Sequence, residues 1–144
     1  MKTLLSALLL FLPFGLFAQP YQEGGVMKPL NVKDQFEKNL TIDANTQEII
    51  IAFSKEQGTA IKTFLDANPN YLAQNKAVYI MDATKVPGMV MSMFMIPKFK
   101  KYPYAVGLLE DEKEVALFPF QEGKFTVMSV ENLTIKAISF KDKW

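Results

Sequence analysis

The sequence predicts an α/β domain: a central mixed β-sheet flanked by helices, with a C-terminal antiparallel meander. Three observations predict it. Glu48 to Phe53 is a continuous, mostly β-branched run, the kind buried on both faces of a parallel sheet. A helix signal and then a second apolar run, Ala77 to Met81, follow it, which is the βαβ order with parallel strands and a right-handed crossover. After Tyr102 the texture changes to short apolar runs between tight polar turns, the mark of antiparallel strands.

The elements follow in order. Met1 to Thr3 is a short positive start, and Leu4 to Leu12 is an apolar run of large side chains broken only by the small Ser6 and Ala7. Pro13 and Gly15 interrupt the run, and Leu16-Phe17-Ala18 offers a cleavage site before Gln19. This is the pattern of a secretory signal. The run is shorter than the ~20 residues that a spanning helix needs. Residues 1–18 are therefore expected to be a signal peptide cut after Ala18, leaving a periplasmic or secreted protein with no stable membrane anchor. Residues 19–29 hold Pro20, Gly24 and Gly25 and read as a flexible lead-in. Residues 30–144 read as one domain.

Lys33 to Ile42 looks like a hairpin. After the Glu48–Phe53 strand, Ser54 and Gln57 have the spacing of a capping box, and Ala60, Ile61, Phe64 and Leu65 share one helical face. Asn68-Pro69-Asn70 ends that helix. Ala77 to Met81 closes on Asp82; Pro87 opens a second helix through Met89 to Ile96, and Pro97 limits it. Tyr104 to Leu109 and Val115 to Phe118 read as strands around a charged turn, Glu110 to Lys113. Phe125 to Val130 and Leu133 to Phe140 complete the meander.

Composition excludes more than it assigns. There is no cysteine and no histidine among 144 residues. That removes disulfides, thiol catalysis, the commonest general base and the commonest transition-metal ligand. All 16 basic residues are lysine, so forked guanidinium recognition of phosphate is unavailable as well. Without Lys2 of the leader, 15 basic residues face 15 acidic ones, and no basic excess points to nucleic acid. No cofactor is expected, since no phosphate loop or ligand spacing is present.

At this point the order of elements resembles a thioredoxin-like fold, in its peroxiredoxin-type branch. Lys33-Asp34-Gln35-Phe36 leading to Leu40-Thr41-Ile42 is similar to the family's opening hairpin, with Glu37 where a glycine is common. Glu48 to Phe53 and its capped helix resemble the strand and helix that carry the catalytic cysteines. Tyr102-Pro103-Tyr104 resembles the family's cis-proline segment. The resemblance covers most of residues 30–118. It implies a thioredoxin-like sheet and, beside Pro103, a backbone edge open to an extended peptide. The departures change the activity. The cysteine-bearing stretch is here Ser54-Lys55-Glu56-Gln57-Gly58-Thr59, which holds no thiol, and thiol–disulfide exchange needs one. The family's final helix is replaced by the Phe125–Phe140 hairpin.

Two classes of function stand after this. The leading one is a non-catalytic module that binds a protein or peptide partner through Ser54, Gln57, Gly58, Thr59, Tyr102 and Pro103. Against the cis reading, cis is only ~5–6% of X–Pro bonds, so a trans structural proline is favoured. The alternative is a periplasmic Cu(I) or soft-metal binder using Met89, Met91, Met93 and Met95, because thioethers select Cu(I). A helix would pair Met89 with Met93 and turn Met91 and Met95 to another face, which favours core packing instead. Glu110, Asp111, Glu112 and Glu114 read as a solvated tip, Asp82 as a cap, and Lys98, Lys100 and Lys101 as an exposed basic run.

Overall fold

The structure, a computed structural model, describes residues 19–144, so the signal peptide expected over residues 1–18 lies outside the described residues. Seven strands form one mixed sheet: β1 (Leu30–Asp34), β2 (Asn39–Ile42), β3 (Glu48–Ala52), β4 (Ala77–Asp82), β5 (Gly107–Leu109), β6 (Phe125–Glu131) and β7 (Thr134–Lys141). Their order across the sheet is β2-β1-β5-β4-β3-β6-β7. β3 and β4 pair in parallel, as the βαβ reading requires, with Ile50 opposite Tyr79. β5 is parallel to β4 and antiparallel to β1.

Strand alternation sends side chains into two cores. Ile49, Ile51 and Phe53 of the β3 stretch face one way, with Val78, Ile80 and Met128. Ile50 and Ala52 face the other way, with Tyr79, Phe125 and Val127. Both faces of β3 are therefore buried, which is why its run is apolar without alternation. Gly107 on β5 sits where a Cβ would meet Val32 Cγ2 at 2.7 Å and Ile80 Cγ2 at 2.8 Å. Only glycine lets three strands close there.

The second core is roofed by α1 (Lys55–Ala67) through Ile61 and Leu65. The short α2 (Tyr71–Gln74) follows the Asn68-Pro69-Asn70 break. A helical stretch over 88–99 completes the roof: α3 (Gly88–Val90), a π-helical segment (Met91–Met95) and α4 (Ile96–Phe99). Trp144 covers this face as well, stacked on Phe64 with ring centroids 4.1 Å apart.

Several expectations are corrected. Pro97 does not limit the second helix but lies inside it. A proline ring ordinarily collides with the carbonyl four residues back. The wide turn before it shifts that ladder: the Ile96 N–H donates to Met91 O, five residues back. Val115–Phe118 is not a strand. Asp111 caps α5 (Glu112–Val115), its carboxylate accepting from the Lys113 N–H at 2.9 Å, and the acidic first turn suits a helix start. β5 is shorter than the strand expected over 104–109 and lies inside the sheet, so the meander reduces to the β6–β7 hairpin. Residues 19–29, expected as a flexible lead-in, pack onto the first core. Met27 is buried there, and the Met27 N–H donates to Leu133 O at 2.8 Å.

Candidate functional site

The carboxyl end of β3 runs into α1 through Ser54. Its extended backbone (φ −149°, ψ 164°) lets Oγ accept from the Gln57 N–H at 3.3 Å. The Gln57 amide reaches back and accepts the Phe53 N–H at 2.8 Å through Oε1. This is the reciprocal cap that the spacing predicts, with the return bond one residue earlier than the usual box. Gln57 is thereby committed to the chain and is not part of the lining of the cavity beside it.

Beside this cap lies a cavity of about 280 Å³ between α1 and the 88–99 stretch. Ala52, Tyr79 and Met81 form its sheet floor. Lys55, Gly58, Thr59 and Lys62 form the α1 wall, and Ser54 and Tyr102 complete the lining beside it. The opposite wall is Val90, Phe94, Met95, Lys98 and Phe99. Gly58 matters because a Cβ there would already touch Tyr79 Oη at 3.6 Å, so a larger side chain enters the cavity. The 88–99 stretch also leaves apolar side chains exposed: Met89 is 73% exposed, Met93 61% and Phe94 66%. Exposed apolar side chains that adjoin one another mark interaction surfaces.

The titratable groups that line the cavity are Tyr79, Tyr102, Lys55, Lys62 and Lys98. Burial pushes the Tyr79 hydroxyl well above its ordinary range, with Tyr104 and Tyr102 adding to the effect. Burial also raises Tyr102, partly opposed by the Lys62 ammonium. These phenols stay protonated through the neutral range. Lys62 is held charged by its hydrogen bond to Asp66 at 2.5 Å and lies 5.3 Å from the Tyr102 ring centre. The three rings Tyr79, Tyr104 and Tyr102 stack in turn, at 6.2 and 5.3 Å between centroids. No carboxylate, thiol or imidazole lines the cavity.

Of the residues singled out by sequence, the cavity brings together Ser54, Gly58, Thr59 and Tyr102, while Gln57 and Pro103 lie outside its lining. Among the described residues no peptide bond is cis, so Tyr102-Pro103 is trans. Pro103 also precedes an interior strand rather than an edge one. The site is thus a side-chain cavity rather than a backbone edge. The four methionines separate as the helical period requires. Met89 and Met93 point to solvent, while Met91 and Met95 pack on the second core.

Asp82 caps the turn after β4: Oδ1 accepts from the Thr84 N–H at 2.9 Å and from Thr84 Oγ1 at 2.5 Å, with the carboxylate 4% exposed. Glu110, Asp111, Glu112 and Glu114 surround the start of α5. Sequence reasoning missed Val90 and Phe94, whose i, i+4 spacing on a helix was the available signal. It also missed Gln35, whose amide bridges to the 99–106 segment.

No family model matches the chain, and no curated protein sequence matches it. Solved structures do. A peroxidoxin from Mycobacterium tuberculosis superposes with a TM-score of 0.56 at 12% identity, over 83% of this chain and 85% of that one. The thioredoxin domain of a thiol-disulfide oxidoreductase from Bacteroides vulgatus gives 0.51 at 15% identity, over 82% and 88%. A peroxiredoxin-like protein from Aquifex aeolicus gives 0.54 at 11% identity, over 86% and 78%. The chain has a thioredoxin-like fold, and without a cysteine it has no thiol with which to carry out thiol-based redox chemistry.

Proposed function

We propose that this protein is an exported, non-catalytic thioredoxin-like module that binds a protein or peptide partner at the cavity between α1 and the 88–99 stretch. The observation that carries the reading is the cavity itself, lined by apolar side chains from the sheet and the 88–99 stretch, with Met89, Met93 and Phe94 exposed on that same stretch. It lies at the start of α1, the place where thiol-bearing relatives keep their cysteines, and its own side chains offer contact surface without a nucleophile. A partner side chain entering it would bury apolar area at about 25 cal/mol per Å². Those exposed side chains would extend the contact on one side.

The test is a selection from a random peptide library against the protein lacking residues 1–18, followed by NMR shift mapping of the enriched peptides. The reading expects shifts at Gly58, Thr59, Phe94 and Tyr102, and an affinity loss of at least fivefold for Phe94→Ala. Enriched peptides that perturb another surface, or a selection that enriches nothing, would overturn it.

A further inference from the structure

The charged side chains that line the cavity are of one sign, with Asp66 beside it paired to Lys62. Lys55, Lys62 and Lys98 line it, and no aspartate or glutamate does. This asymmetry is local, because the chain without its leader carries equal numbers of acidic and basic residues. Lys62 is already engaged by Asp66 at 2.5 Å. Among the described residues, Lys55 and Lys98 make no salt bridge. They rise from opposite walls, Lys55 from the first residue of α1 and Lys98 from α4. The start of a 13-residue helix adds a partial positive charge on the Lys55 side. Glu56, the acidic residue of that first turn, is not part of the lining.

We propose that the segment recognised here is acidic: one large apolar side chain enters the cavity, and carboxylates on either side of it pair with Lys55 and Lys98. This rests on the reading of the cavity as a peptide-binding site. Two lysines on opposite walls match a segment with charge before and after its apolar anchor. Their long stems let each ammonium reach a carboxylate while the methylenes cover apolar surface. A basic segment would meet unpaired like charge on both sides, which selects against it.

The experiment uses the protein without residues 1–18 and three labelled peptides that share a central phenylalanine: flanked by two glutamates, by two glutamines, or by two lysines. Fluorescence anisotropy is read at low and high salt. The proposal expects the glutamate peptide to bind about tenfold more tightly than the glutamine one, and the lysine peptide to bind most weakly. Lys55→Gln and Lys98→Gln should each reduce glutamate-peptide affinity roughly threefold and glutamine-peptide affinity by less, so that the glutamate preference shrinks in both. Salt at about 0.5 M should erase most of the preference. Equal binding of the glutamate and glutamine peptides overturns the charge assignment and leaves the peptide site standing. A glutamate preference that survives both lysine substitutions overturns the assignment to these lysines. If no peptide binds but decanoate does, with shifts at Gly58 and Phe94, the occupant is a carboxylate-bearing lipid and both readings fail. If nothing binds, both fail as well.

Discussion

Gln35 accepts the Val106 N–H through Oε1 at 2.8 Å, joining residues 71 positions apart in the chain. Its Nε2 donates to Tyr104 O at 2.7 Å and to Phe99 O at 3.2 Å. The side chain is 1% exposed, so these bonds form out of water. The turn after β1 thus clamps the segment that presents Phe99 and Tyr102 to the cavity. Gln35→Ala leaves a buried donor and two carbonyls without this partner, and a loss of about 2–4 kcal/mol is expected. Denaturant unfolding followed by the fluorescence of Trp144, the chain's single tryptophan, measures it. An unchanged midpoint would remove the clamp.

Glu37 in the same turn takes φ 62°, a left-handed conformation that glycine adopts freely. Its side chain is exposed. Glu37→Gly should relieve the strain and raise stability, by under about 1 kcal/mol once the added freedom of the unfolded glycine is subtracted. A lower melting temperature for this variant would contradict the strain argument.

Gly58→Leu separates binding from folding. Leucine is the better helix former by close to 1 kcal/mol, and its side chain would project from α1 into the cavity. The expected variant melts at or above the wild-type temperature and no longer binds the selected peptides. Retained binding would mean that the contact surface lies elsewhere.

Glu48 gives a pH signature. Burial raises its pKa, although the hydrogen bond from Tyr71 Oη at 2.8 Å and the Lys141 charge pull the other way. A carboxyl group with a raised folded pKa stabilises the fold fully below the unfolded pKa. That contribution is lost as pH rises through the folded value. Glu48→Gln keeps an acceptor for Tyr71 and removes the titration. It should raise the melting temperature at neutral pH and leave it nearly unchanged below about pH 4. Equal effects at both pH values would show that charge burial is not the cause.

The methionines predict an order of oxidation. Under dilute peroxide, Met89 and Met93 should form sulfoxide before the buried Met27 and Met128, as read by peptide mass spectrometry. Copper(I) titration should show no site that depends on all four of Met89, Met91, Met93 and Met95, because two face solvent and two face the core. A stoichiometric site lost in both Met91→Leu and Met93→Leu would reverse this.

What the sequence made legible was decided by residues whose local signal and tertiary fate agree. Ile49–Ile51 is apolar because both faces are covered, and Ser54 and Gln57 cap as their spacing says. Val115–Phe118 misled because four apolar residues fit a strand or the end of a short helix equally well, and the Asp111 cap decided between them. Met27 was hidden by the glycines around it. The cavity was half legible. Ser54, Gly58, Thr59 and Tyr102 came from the order of elements. The facing wall depends on how the 88–99 stretch is wound, and no residue-by-residue preference encodes that.

The wide turn at Met91–Met95 therefore makes the site depend on chain length as well as on residue identity. It carries about one residue more than an α-helical turn of the same rise. Removing one residue from that segment would close it to an ordinary α-helical turn. The Pro97 ring would then come up against a carbonyl of that turn, and the kink that relieves the clash would move Lys98 and Phe99 away from the cavity. Homologous chains that align one residue shorter here should have lost this cavity even where every lining residue is retained.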